Sequence, residues 1–276
     1  MTATRAVATL FGRERETRRV LQAIHRRESL LIWGPAGAGK SALLHGAIAA
    51  APYRIRARCI WIDGAKGRKQ ILRQIVGALH QCRDGAISGV TGWNSYEDSE
   101  FQRWLARQTS RGLGGLAAEA LRDTGYWLVL DHFPPATHAM ARLLSDFMRR
   151  CKTPVYLTAR GHSRKEIGDA WKLYWNPERW LELGPLTESA AKELFDSCSQ
   201  AGWLDARDLE KARMEILRAS GKIPGAIRAM CALAREPRFQ AGGRIKTRLL
   251  RTEYLIGFES KQDGIFPDSL APRSQP

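Results

Sequence analysis

Eight residues constrain the fold of this chain more than any others. Gly34-Pro35-Ala36-Gly37-Ala38-Gly39-Lys40-Ser41 spells the pattern GxxxxGK[ST], directly after the apolar run Leu30-Leu31-Ile32-Trp33 and directly before Ala42-Leu43-Leu44. A short apolar run followed by a glycine-rich turn and a helical period reads as strand, loop and helix. Glycines there let backbone N–H groups turn inward around phosphate oxygens, and the helix N-terminus adds the positive end of its dipole. In that arrangement Lys40 reaches the β and γ phosphates and Ser41 ligates Mg²⁺, with Gly34 through Gly39 and Ala42 completing the cradle. The sequence therefore predicts a site for ATP and Mg²⁺.

Four further β-branched or aromatic runs follow at intervals: Cys59 to Asp63, Tyr126 to Asp131, Val155 to Thr158 and Trp180 to Leu183. Strands alternating with helical patterns predict a parallel sheet covered on both faces. The intervening segments carry Ile71-Leu72-Ile75-Val76-Leu79 at helical spacing, a Gly- and Ser-containing stretch from Gly85 to Tyr96, and a helical pattern from Phe101 to Leu121. A second anchor for a magnesium-bound triphosphate is expected at the end of a buried strand, and Asp131 closes such a run. The next position is His132, where many ATPases of this type place the Glu that activates water. Either His132 serves as base or water-orienting group, or hydrolysis is slow and the chain works mainly by binding. On the fourth run, Thr158-Ala159-Arg160 places a guanidinium where it can read a terminal phosphate.

These motifs together resemble a known group. Leu10-Phe11-Gly12-Arg13-Glu14-Arg15-Glu16 looks like the GRExE box of AAA+ ATPases of the origin-recognition type and of STAND ATPases. Asp131 resembles their Walker B aspartate, and Thr158-Ala159-Arg160 is similar to the STAND sensor. Leu183-Gly184-Pro185-Leu186-Thr187 resembles the start of their helical lid. Gly221-Lys222-Ile223-Pro224-Gly225-Ala226-Ile227-Arg228 looks like the lid GxP motif overlapping a sensor-2 arginine. The resemblance spans residues 8 to 235. It implies an α/β P-loop NTPase fold with a five-stranded parallel sheet in the order 5-1-4-3-2 and a small all-helical lid. It also implies that Phe11, Gly12 and Arg13 lie beside the adenine, that Pro224 approaches the base, and that Arg228 stands in the sensor-2 arginine position through which bound nucleotide draws in the lid. Arg179 lies near the place of the arginine finger that reaches a neighbouring subunit in a homo-oligomer. The domains expected are 1–184 for the ATPase, 185–235 for the lid and 236–276 for a basic, partly flexible extension.

Composition narrows the setting. With 44 Lys and Arg against 28 Asp and Glu the net charge is +16, and Arg outnumbers Lys about threefold. Such a chain suits a polyanion such as DNA or another nucleic acid. Arg54, Arg56, Arg58, Lys66, Arg68, Lys69 and Arg73 form one basic block, with several arginines expected to alternate along the second strand, and Arg238 to Arg251 form another. Trp171 and Trp175 are spaced to share one helical face. Cys59 is expected in the core, and the five cysteines are odd in number and lack a CxxC pair, which argues against a disulfide framework or zinc ribbon. His25, His45, His80, His138 and His162 lack metal-ligand spacing. No stretch reaches the roughly 18 apolar residues of a membrane span, so the expectation is a cytoplasmic protein without membrane contact.

The function expected is an ATP-dependent conformational or assembly switch of the AAA+/STAND type, an ATPase weakened by His132, working with a separate effector or sensor protein. The alternatives are a DNA-associated ATPase acting in transposition or replication through its basic surface, and a nucleotide-binding protein without useful hydrolysis.

Overall fold

In the computed structural model the described residues are 10–82, 98–122, 124–161, 163–199, 206–241 and 244–262. The Gly85 to Tyr96 stretch, His162 and the Gly/Pro/Ser-containing end at 263–276 lie outside them. The chain divides into two compact units, Met1–Gly184 and Pro185–Pro276.

The first unit is built on strands β1 (Leu30–Gly34), β2 (Cys59–Asp63), β3 (Trp127–Phe133), β4 (Val155–Arg160) and β5 (Trp180–Glu182). All pair in parallel, in the order β2-β3-β4-β1-β5. This is the expected 5-1-4-3-2 order. Side chains alternate between two cores, as a strand's period of two requires. Leu31, Leu128, Leu130, Val155 and Leu157 point to one face. Helices α4 (Arg68–Gln81), α5 (Asp98–Arg107), α6 (Ser110–Leu121) and α7 (His138–Arg149) cover that face with buried Ile75, Phe101, Leu113 and Phe147. Leu30, Ile32, Val129 and Tyr156 point to the other, against α1 (Glu14–Arg26) and α2 (Lys40–Ala50). Burial on both faces is why the strands are continuously apolar.

Several local expectations change. The pattern read from Phe101 to Leu121 breaks into α5 and α6, because Thr109 caps the second helix by accepting the Gly112 N–H at 3.1 Å. The arginines expected to alternate along the second strand lie before it: Arg54 and Arg56 in the single turn α3 (Tyr53–Arg56), and Arg58 in the following turn. Trp171 and Trp175 do not share a helical face, because a 3-10 helix ends at Tyr174; Trp171 packs on the core while Trp175 is 74% exposed. Tyr174 is the anchor instead, fully buried with its hydroxyl donating to the Val155 carbonyl at 3.0 Å.

The short helix α8 (Arg164–Ile167) follows β4 in the first unit, and the second unit holds α9 (Glu188–Cys198), α10 (Ala206–Ala219), α11 (Pro224–Ala234), a two-stranded hairpin β6 (Gln240–Ala241) and β7 (Arg244–Ile245), and α12 (Thr247–Gln262). Thr187 caps α9 through the Ala190 N–H, Pro224 occupies the first turn of α11, and Leu194, Phe195, Ile227 and Met230 are buried. The Leu186 N–H donates to the Lys222 carbonyl at 3.0 Å, and Lys222 pairs with Glu188 at 2.8 Å.

Candidate nucleotide site

β1 delivers the glycine loop to the C-terminal end of the sheet. Gly34 (φ +147°), Gly37 (φ +76°) and Gly39 (φ +93°) all adopt positive φ. A Cβ on Gly34 would stand 2.3 Å from the Leu183 carbonyl oxygen, so only glycine fits there. Gly39 is the N-cap of α2, and the free N–H groups of that helix follow at once. Lys40 curls back to donate to the Gly34 and Pro35 carbonyls at 2.9 and 2.8 Å. Burial, with the Arg160 charge adding and Asp131 opposing, lowers its ammonium to about 8. A half-enclosed cation so placed favours an anionic ligand.

Asp131 stands on β3, two strands from β1, and is 3% exposed. Its Oδ1 accepts from the Ser41 hydroxyl at 2.9 Å, the Thr158 hydroxyl at 2.5 Å and the His132 N–H at 3.0 Å. Ser41 and Asp131, the two expected magnesium ligands, therefore face each other across the sheet end. Their hard oxygens suit Mg²⁺.

β3 does not stop at Asp131. Register with β4 slips by one residue between Leu130 and Phe133, a β-bulge, and His132 within it has φ +51°. The bulge turns the imidazole back toward the site. Its Nδ1 lies 2.7 Å from Asp63 Oδ1, and its Nε2 lies 3.4 Å from Ser41 Oγ. Asp63, Asp131 and His132 thus present three ligand atoms within 4.8 Å of one another. Asp63 was not singled out from sequence, although it ends β2 as Asp131 follows the apolar run of β3, and the two pair in register.

Arg160 ends β4 in register with Gly34 and is exposed beside Lys40. Gly12 adopts φ +60° just ahead of α1. Arg13 is 7% exposed, bridges to Glu16 at 2.9 Å and donates to the Gly184 carbonyl, so it ties α1 to the end of the first unit. Phe11 is half-buried. Pro224 and Arg228 belong to the second unit, where Arg228 is exposed on α11. Arg179 is half-buried on the turn before β5.

A parallel sheet with a glycine loop, lysine and strand-end acid at its C-terminal end defines a P-loop NTPase. The chain belongs to the AAA ATPase domain family, whose model matches residues 9–159, more than half its length. No curated protein matches it in sequence. In fold it is similar to the Orc1 protein of Aeropyrum pernix, solved in complex with DNA, at 17% identity and a TM-score of 0.57 over 94% of this chain and 69% of that one. It is also similar to a Walker-type ATPase of Pyrococcus abyssi (16%, TM-score 0.56, 92% and 76%). A STAND protein of Pyrococcus horikoshii with a tetratricopeptide repeat sensor gives 18%, a TM-score of 0.52, and 91% and 33% coverage. Among the described residues no helix is long and apolar enough to cross a membrane.

Proposed function

We propose that the chain binds Mg·ATP at Gly34–Ser41 and hydrolyses it slowly, using nucleotide state to switch its conformation or assembly. The observation that carries this is the Asp63–His132 pair, 2.7 Å apart and beside Ser41 and Asp131. With Nδ1–H donated to Asp63, Nε2 keeps its lone pair toward the phosphate site. As the water oxygen attacks the γ phosphorus, its proton passes to Nε2, and ADP leaves with the bridging oxygen. Lys40 and Arg160 take up the charge on the transferring oxygens. A magnesium ion held by Ser41 and Asp131 would neutralise phosphate charge. Phe11, Gly12 and Arg13 of the first unit, and Pro224 and Arg228 of the helical unit, are proposed to sense base and phosphate. A nucleotide-dependent change at these residues would alter the surface offered to other copies or to a sensor protein. The test is binding of a fluorescent ATP analogue together with steady-state hydrolysis: His132→Ala should keep binding and lose turnover. Turnover unchanged in that variant would leave binding without the proposed base.

A second reading, a DNA-associated ATPase, is supported by the charge of +16 and by where the arginines stand in the first unit. Duplex DNA should then bind in a salt-sensitive way and raise turnover.

A further inference from the structure

The sequence block from Arg54 to Arg73 is cut by β2. Lys66, Arg68, Lys69 and Arg73 follow the strand, toward the nucleotide end, whereas Arg54, Arg56 and Arg58 precede it at the opposite end. In a parallel sheet every strand begins at that opposite end, so each segment leading into a strand adds its charges to one face. Arg26 and Arg27 lead into β1. Arg122 leads into β3. Arg149, Arg150 and Lys152 lead into β4. All nine of these cations are exposed.

The face is assembled rather than scattered. Arg27 and Arg58 donate to the Gly125 and Thr124 carbonyls at 3.0 and 2.8 Å, pinning the starts of β1 and β2 to the turn before β3. Each uses part of its guanidinium for this and keeps other donors for a ligand. With His25, Arg54 and Pro154 they line a cleft of about 410 Å³. Tyr53, 75% exposed with the Arg56 guanidinium 5.7 Å from its ring, adds an aromatic face beside the arginines. The nearby carboxylates among the described residues are few. Glu28 lies 3.8 Å from Arg19, Asp146 is 3.4 Å from Arg150, and Glu119 stands in the last turn of α6. β5 is the exception, with Glu178 beside Arg179 ahead of it.

Helix dipoles explain only part of this. α1, α6 and α7 end here, and a cation near each C-terminus complements them. α3 has a single turn, so Arg54, Arg56 and Arg58 have no comparable reason to cluster. The surplus repels itself unless a polyanion is present.

We infer that this strand-start face binds the phosphate backbone of double-stranded nucleic acid, at the end of the sheet opposite the ATP site. Arginines outnumber the one lysine in the face, which suits bidentate phosphate contacts. The inference rests on the second reading above and places its contact surface. The tail helix α12 is then not the main contact.

The test measures affinity of the full chain for a fluorescein-labelled duplex across a salt series. The variants are Arg54→Glu/Arg149→Glu/Lys152→Glu and, as comparison, Lys246→Glu/Arg248→Glu/Arg251→Glu. The first should lower the salt slope by about three and weaken binding at least tenfold at ~0.1 M salt, with basal ATP hydrolysis unchanged. The second should stay within about twofold of wild type. A wild-type chain that ignores duplex would overturn the nucleic-acid reading altogether. Wild-type binding that survives the first variant, or is lost in the second, would overturn only the location. Binding to phosphatidylserine vesicles but not to duplex, lost in the first variant, would make the face a membrane contact and overturn the inference.

Discussion

His132 Nδ1 lies 2.7 Å from Asp63 Oδ1, at the join of two strands whose last paired residues are Asp63 and Asp131. The side chains are more than half exposed, at 61% and 62%, so this pair is not a core requirement. Its effect is on orientation, because the carboxylate selects which ring nitrogen carries the proton. Asp63→Asn should therefore lower kcat about tenfold while leaving ATP affinity within about twofold, and His132→Ala should lower kcat about a hundredfold. Asp63→Glu, which keeps the acceptor, should recover part of the loss. Equal effects on kcat and KM would point to a structural role instead.

A glutamate at position 132 is not a simple repair. His132→Glu would place a third carboxylate between Asp63 and Asp131, where like charges oppose ionisation. Turnover of His132→Glu is expected to stay below wild type, and the double variant His132→Glu/Asp63→Asn to exceed the single one. Steady-state phosphate release measures both.

The glycines of the loop separate folding from binding. Gly34→Ala meets the Leu183 carbonyl at 2.3 Å with φ +147° and should destabilise the chain by about 3 kcal/mol or more. Gly39→Ala meets nothing within 4 Å and bears only the strain of φ +93°, about 1–2 kcal/mol. Thermal melts without nucleotide should rank them in that order.

Cys198, at the end of α9, carries a thiol lowered to about 6 by a hydrogen bond with Cys231, helped by Ser197 and by the charges of Arg228 and Arg235. Cys231, buried on α11, is shifted upward. At pH 7 Cys198 is expected to be mostly thiolate and to react with iodoacetamide faster than Cys82, which is exposed. Below pH 6 the thiolate protonates and that advantage fades. Mass spectrometry of labelled peptides at pH 5 and pH 8 reads both rates.

Much of the first unit was legible because its signals are local. Apolar runs bounded by turns marked the five strands, and Gly34–Ser41, Asp131 and Arg160, each read at a strand end, stand together at one end of the sheet. The Asp63–His132 contact was not legible, since it depends on a one-residue bulge in β3 and on β2 lying next to β3. Neither is written in a local pattern. The strand-start face escaped for the same reason: Arg27, Arg58 and Lys152 are far apart in sequence and meet only through the parallel sheet. Trp171 and Trp175 misled because spacing alone does not distinguish an α-helix from the tighter 3-10 turn that ends at Tyr174.

The most direct test of the account is steady-state hydrolysis of Mg·ATP by the wild-type chain and by Lys40→Ala, measured side by side. Lys40 donates into the loop from a half-enclosed position beside Asp131 and Arg160, so its loss should remove turnover to background. Wild-type turnover that persists undiminished in Lys40→Ala would contradict the assignment of this loop as the site of ATP chemistry.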